Sequence, residues 1–369
     1  MGYTIKSWSI PFLTQRAMKE DWQVERYDPS GMRRLLEDFP QQCEEAIAIG
    51  RKAKVRFPRP SRIVVTGLGG SAIGGDLLRS YLAGESSVPI FVNRSYELPA
   101  FVGKDTLVIA NSYSGNTEET LSAYRDAKKR GAKVIVLSTG GQLAEQAKRN
   151  RDSWVVIPSG LPHPPRAALG YSFFPMLLMM MKNGVAKERQ GELKETVSLL
   201  SRLRNRYSLE SPISGNHAKR IAGALHGKLA ILYSASERFD AVTLRWRNQL
   251  NENAKTLAYS HLLPEMNHNE IVGWEALKPI MRKAFVLMLR DKGDHPRVQY
   301  RMEITKGLIA PQAEGFEEVW SEGKSLLARI FSLICLGDWA SYYLAMLNRV
   351  DPMPVKKIDF LKAKLAERR

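Results

Sequence analysis

Cysteine is nearly absent: Cys43 and Cys335 are the two in 369 residues, far apart, with no second thiol or histidine at ligand spacing. A disulfide framework and a zinc cluster are both unsupported on that ground. Long hydrophobic runs are lacking too. The longest, Phe173 to Met181 (FFPMLLMMM), is stopped by Lys182 at about half the ~20 residues a bilayer-spanning helix needs, and is expected to be a buried core helix. The N-terminal stretch has basic residues but no sustained apolar core or small-residue cleavage site, so neither a signal peptide nor a membrane anchor is expected and the expected location is cytoplasmic. Acidic residues are the minority, 38 against 55 Lys and Arg, a net charge of +17. The basic residues are scattered through amphipathic stretches such as Lys187–Arg206 and Lys356–Arg369, with no block of five or six like charges and no nucleic-acid motif. Such a field suits small anions, sugar phosphates among them, and nucleic acid is not expected as the ligand.

With 44% apolar and 25% charged residues, the chain is of ordinary globular composition, which rules out disorder, and its length leaves room for two domains. Residues 28–53 have helical spacing, with Asp28 and Ser30 as N-cap candidates. A period change follows. Arg62–Thr66 (RIVVT) reads as a strand leading into the glycine turn GLGGSAIGG and a helix. Val88–Asn93, Thr106–Ala110, Lys133–Ser138 and Trp154–Ile157 repeat the strand signal, with a helix predicted over Glu118–Arg130 and another over Ala167–Asn183. Lys187–Arg206 reads as a connector. The logic then restarts with Leu229–Ser234 as strand, Ala241–Leu257 as helix and Ala284–Leu289 as strand. Apolar strands alternating with helices imply α/β architecture with parallel sheets covered on both faces. The expected division is an N-terminal helical segment (1–55) packing on a first domain (56–195), then a second domain with a C-terminal helix (205–369).

Two turns follow strands and open helices. Gly67-Leu68-Gly69-Gly70-Ser71 lets backbone approach an anion at a helix N-terminus. It also satisfies G-x-G-x-x-A through Gly67, Gly69 and Ala72, but Asn93 and Arg94 stand where a dinucleotide site wants a carboxylate, which weakens NAD and leaves NADP open. No Gly-Lys-Ser/Thr follows, so it is not a P-loop. In the second turn, Asn111-Ser112-Tyr113-Ser114-Gly115-Asn116-Thr117, three hydroxyls from Ser112, Ser114 and Thr117 open a helix, the makings of a phosphomonoester cradle. The alternative is a hydroxyl-rich N-cap. Two such turns on one sheet edge favour ligand binding.

This pairing resembles the sugar isomerase (SIS) domain. GLGGSAIGGDL, NSYSGNTEET, PPRAALGYSF, WRNQLNENAK and PEMNHNE, in that order, resemble the bifunctional phosphoglucose/phosphomannose isomerase family from about Asp28 to the C-terminal DPMPVKKIDFLK. The resemblance implies two tandem SIS-type domains and an aldose–ketose isomerase acting on glucose 6-phosphate, mannose 6-phosphate and fructose 6-phosphate through a cis-enediol. It implies Glu252 as the base moving a proton between C1 and C2, His268 as the ring-opening residue supplied across a homodimer interface, and Arg166 as stabiliser of the enediolate. Gly70, Ser71, Ser112, Ser114 and Thr117 match the phosphate binders, with Gly69 adding backbone contact. The chemistry suits the roles: a carboxylate can return a proton to the neighbouring carbon, an imidazole can relay the ring-oxygen proton, and neither step needs a metal or redox cofactor. A C-terminal lysine is expected near the sugar, with Lys362 favoured over Lys356 and Lys357. Met353 stands where the family pattern has Thr.

Three rivals remain. A non-catalytic SIS regulator that senses sugar phosphates would not need Glu252 or His268, and predicts a helix-turn-helix for which the N-terminal residues show no clear example. An NADP-dependent oxidoreductase would use the first turn. A glutamine-dependent aminosugar synthase expects an N-terminal nucleophilic Cys where this sequence reads Met1-Gly2. His163, His217, His226, His261 and His295 show no catalytic pattern.

Overall fold

The computed structural model of the chain describes residues 22–159, 164–236 and 238–367. His163 and the stretch 1–21, on which the expectation of no signal peptide rests, lie outside them. The helical pattern of residues 28–53 divides in two: α2 (Met32–Glu37) follows the short α1 (Val24–Tyr27), and α3 (Phe39–Lys52) restarts after Asp38. Pro40 causes the break, since it has no N–H to continue the first helix yet fits the opening turn of the next. Neither Asp28 nor Ser30 takes the N-cap position, which is Gly31, but the Asp28 carboxylate still accepts the Met32 and Arg33 backbone N–H groups at 2.7 and 2.8 Å and so satisfies the helix start.

The first sheet comprises β1 (Arg62–Thr66), β2 (Ile90–Asn93), β3 (Thr106–Asn111), β4 (Lys133–Ser138) and β5 (Ser153–Val156). They run parallel in the order β2-β1-β3-β4-β5, with α4 (Gly70–Leu82), α5 (Glu118–Lys129) and α6 (Gly141–Arg149) connecting them. Helices cover both faces, so β3 is buried at every residue and its sequence runs apolar instead of alternating. β2 begins at Ile90, two residues later than its apolar run suggests, because Pro89 has no N–H for the ladder; its carbonyl instead accepts from Ile63 at 2.9 Å. Strand order reverses between β1 and β3. The turns that leave these neighbours therefore face each other across a crevice at the sheet's C-terminal edge.

A 3₁₀ turn (Pro165–Ala167) leads to α7 (Leu169–Lys182), whose residues Leu169 to Met181 are all buried, so the methionine run is core. This helix packs on α3, where a Cβ on Gly50 would stand 2.7 Å from Leu178. After α8 (Gln190–Tyr207) and α9 (His217–Leu225), a second parallel sheet is ordered β7-β6-β8-β9. Its strands are β6 (Leu229–Ala235), β7 (Ala258–Leu263), β8 (Ala284–Arg290) and β9 (Gly315–Trp320). Between them come α10 (Asp240–Glu252), the short α11 (Glu270–Gly273) and α12 (Lys278–Met281), and α13 (Pro296–Ile309). The spine is α14 (Leu326–Leu347), the one helix among the described residues long and apolar enough to cross a membrane; 94% of its apolar window is buried inside the protein. Trp246 of α10 lies against it, donating its indole N–H to Leu333 O at 2.8 Å and filling the space over Gly337, where a Cβ would stand 2.4 Å from the ring. The chain ends in α15 (Lys356–Ala366), which buries no residue.

Candidate active site

The two turns at the first sheet's edge are locked together through backbone. A Cβ on Gly67 would lie 2.6 Å from the Asn111 carbonyl oxygen, so only glycine admits that approach. Asn111 Nδ2 donates to Ser71 O and Ser172 Oγ, both at 2.8 Å, and the Tyr113 N–H donates to Ser71 Oγ at 3.2 Å. Within the second turn the three hydroxyls have different work. Ser112 is fully buried; its Oγ accepts from Gly115 N at 3.2 Å and shares a 2.9 Å hydrogen bond with Thr117 Oγ1. It braces the turn. Ser114 is exposed and Thr117 half-buried at the start of α5, where the first N–H groups of a helix lack intrahelical partners and the dipole favours an anion. Gly115, at φ +70°, passes so close to Gly140 that a Cβ would stand 1.9 Å from its carbonyl oxygen.

The first turn also meets the catalytic candidates. A Cβ on Gly70 would lie 2.4 Å from the Pro165 carbonyl carbon and 2.5 Å from the Arg166 nitrogen, so the glycine turn and the Pro165–Ala167 turn are in backbone contact. Arg166 is 4% exposed and donates in four directions: Nε to Asn253 Oδ1 at 2.7 Å, Nη1 to Glu252 Oε2 at 3.2 Å, and Nη2 to the Pro352 and Met353 carbonyls, both at 2.8 Å. Burial draws its pKa below the ordinary arginine value, and the Glu252 carboxylate opposes the shift. Glu252, half-buried, is the last residue of α10. Behind them a buried layer fixes the arginine turn. Arg245 donates to the Arg166 carbonyl at 3.0 Å while holding Asp338 bidentately at 3.1 and 2.6 Å, and Gln249 Nε2 adds 2.9 Å to the same carboxylate. A guanidinium and a carboxylate side by side, a few residues of backbone from an anion cradle, form an arrangement that can hold a phosphoester and move a proton on its carbon chain.

Gly70, Ser71, Ser112, Ser114, Thr117, Arg166 and Glu252 thus fall in one connected region. His268 and Lys362 do not join it within one chain. His268 ends the 3₁₀ turn Glu265–His268 after β7 and is exposed, and Lys362 lies on α15; neither makes a hydrogen bond or ion pair with Arg166 or Glu252 among the described residues. Among the described residues no group of three or more His, Cys, Asp or Glu is placed to hold a metal ion. Two residues of the same region escaped the sequence reading. Asn253 holds Arg166 and also donates to Ser341 Oγ at 3.0 Å. Lys255 extends its ammonium to the Glu252, Pro354 and Pro352 carbonyls at 2.5, 2.7 and 3.2 Å, and partial burial together with the Arg166 guanidinium pulls its pKa below the ordinary lysine value. Both lie in the motif WRNQLNENAK, which was the available signal.

Comparison with known proteins gives the chain's relatives. The SIS domain family matches residues 57–181, and the family described as bacterial phospho-glucose isomerase C-terminal SIS domain matches residues 214–365. A bifunctional phosphoglucose/phosphomannose isomerase of Caldicellulosiruptor bescii is 49% identical over 332 residues, covering 89% of this chain and 97% of its own length. One from Aquifex aeolicus is 38% identical over 305 residues, covering 82% of this chain and 90% of its own. Among solved structures, a hypothetical protein from Thermus thermophilus has a TM-score of 0.71 at 17% identity, covering 96% of this chain and 94% of that one, which establishes the shared fold.

Proposed function

Because the chain belongs to the bifunctional phosphoglucose/phosphomannose isomerase family, we propose that it interconverts glucose 6-phosphate and mannose 6-phosphate with fructose 6-phosphate, and that the residues gathered above carry the reaction. The observation that supports the site assignment most is the Arg166–Glu252 pair, 3.2 Å apart and joined through Gly70 to the hydroxyl turns. In this reading Ser71, Ser114 and Thr117, with the opening N–H groups of α4 and α5, hold the phosphate, while Ser112 keeps the second turn in shape. Glu252 removes the proton at C2 of the aldose and returns it to C1. Arg166 offsets the negative charge that builds on the enediolate oxygen. That intermediate is planar at C2, so a single proton shuttle serves both aldose epimers provided the pocket admits either hydroxyl orientation.

His268, which makes no hydrogen bond to its own chain's Glu252, is assigned to the site of a second copy in a homodimer, where it relays the ring-opening proton. Lys362, on α15, is assigned a place near the sugar ring by the same assembly. The location proposed is cytoplasmic, which fits two buried cysteines kept as free thiols. A regulator that only senses sugar phosphates has no use for the Arg166–Glu252 pair.

The experiment is a coupled assay supplying fructose 6-phosphate and scoring glucose 6-phosphate and mannose 6-phosphate separately. Glu252→Gln should lose isomerisation by at least about 1000-fold, since a base is replaced by an amide of the same shape, while fructose 6-phosphate still binds by calorimetry. Retained turnover in that variant would remove Glu252 from the mechanism.

A further inference from the structure

Lys255 is a lysine where the backbone asks for glycine. Its φ of +56° lies in the left-handed region, just past the end of α10, and the Thr256 N–H reaches back over it to the Leu250 carbonyl at 3.1 Å. A side chain there is strained, and glycine would take the same conformation freely. Something about the lysine compensates. An ammonium has three N–H donors, and the contacts to the carbonyls of Glu252, Pro352 and Pro354 use all three. Arg166 takes the carbonyls of Pro352 and Met353 from the same segment, and Ser30 Oγ donates to Asp351 Oδ2 at 2.6 Å. The strap 351–354 is therefore gripped by two cations, and both of them also hold Glu252, one at its carboxylate and one at its main chain.

We propose that Lys255 is a positioning residue for isomerisation: its ammonium ties the main chain at Glu252 to the 351–354 strap, and so holds the Glu252 carboxylate in register with the Arg166 guanidinium. This inference rests on the proton-transfer role given to Glu252. With its donors committed to carbonyls, Lys255 leaves no proton for the substrate, which separates it from the acid and base of the reaction. Cutting the tether should free the strap and let the end of α10 shift, and a displacement of about an ångström at a reacting group is enough to cost on the order of 100-fold in rate. The phosphate cradle lies on a different sheet and is left in place.

The test compares Lys255→Gly, Lys255→Met and Lys255→Arg with the unaltered protein. Glycine relieves the backbone and removes the ammonium together, so Lys255→Gly should melt no lower than Lys255→Met. Its kcat should nonetheless fall by about 10-fold to 100-fold with KM for fructose 6-phosphate within about twofold. Lys255→Arg, which keeps a cation with several donors, should recover part of kcat. Hydrogen–deuterium exchange across Asp351 to Ile358 should quicken in Lys255→Gly. That readout needs no turnover, so it judges the tether even if the protein proves not to isomerise hexose phosphates. Unchanged exchange in that segment, or wild-type kcat in Lys255→Gly, would overturn the proposal.

Discussion

Ser112 and Ser114 stand two positions apart in one turn, yet one is walled in by its own hydrogen bonds and the other opens to solvent. The spacing of hydroxyls in the sequence marks the turn but not this division of labour, which depends on Gly115 and Gly140 packing the chain back on itself. If Ser114 and Thr117 contact the phosphate, removing both hydroxyls deletes two charge-assisted hydrogen bonds worth about 1.5–3 kcal/mol each. The double variant Ser114→Ala/Thr117→Ala should then raise KM for fructose 6-phosphate by about 100-fold or more with kcat little changed, and initial-rate kinetics reads this directly. An unchanged KM would place the phosphate elsewhere. Asp294 makes a separate prediction. It is 4% exposed, and burial lifts its carboxyl from 3.8 to about 6. A raised acid pKa favours the protonated form in the folded state, so this group's contribution is fully present below pH 4 and lost as the pH rises through 6. Asp294→Asn should gain stability over the parent at pH 7.5 by on the order of 2–3 kcal/mol relative to its standing at pH 4. Urea denaturation at both values checks it, and an equal difference at the two would refute it.

Elements differ in how plainly the sequence announces them. β1 and β4 coincide with their β-branched runs because both lie inside a sheet covered on two faces, where burial is continuous and so is hydrophobicity. The edge strands β7 (AYSHLL) and β9 (GFEEVW) mix polar residues into half-buried positions, which dilutes the signal. The spine α14 is buried on all sides and has little amphipathic period to read. The site divides along the same line. Gly70, Ser71, Ser112, Ser114 and Thr117 belong to local turns that sequence can mark, whereas the contact of Gly70 with Pro165 and Arg166 joins segments nearly a hundred positions apart. That contact is testable. In Gly70→Ala the new methyl meets backbone atoms at 2.4–2.5 Å, which no side-chain rotation relieves, so the arginine turn must move. The variant should lose about 1–3 kcal/mol of stability by thermal denaturation and should lower kcat as well as raise KM. Gly84 is the control, since a Cβ there meets nothing within 4 Å and its φ is not positive; Gly84→Ala should leave kcat near that of the parent.

At the scale of the whole molecule, the single chain leaves apolar surface without cover. On α15, Phe360, Leu361 and Leu365 are 66%, 57% and 48% exposed, and an 11-residue helix with no buried face is marginal in water. His268 is likewise exposed and makes no hydrogen bond to its own chain's Glu252. A two-fold dimer that lays these elements on a second copy would account for both, and it makes each site a composite of two chains. The decisive measurement uses two inactive proteins. In Glu252→Gln every site lacks its base, and in His268→Ala every site lacks its imidazole. When the two are unfolded together and reassembled, each mixed dimer holds one site with both residues intact and one with neither. Random pairing of equal amounts then restores up to about a quarter of wild-type activity, since half the dimers are mixed and each has one working site of two. If His268 served the Glu252 of its own chain, every site in every mixture would still lack one group. Mixing would then restore nothing.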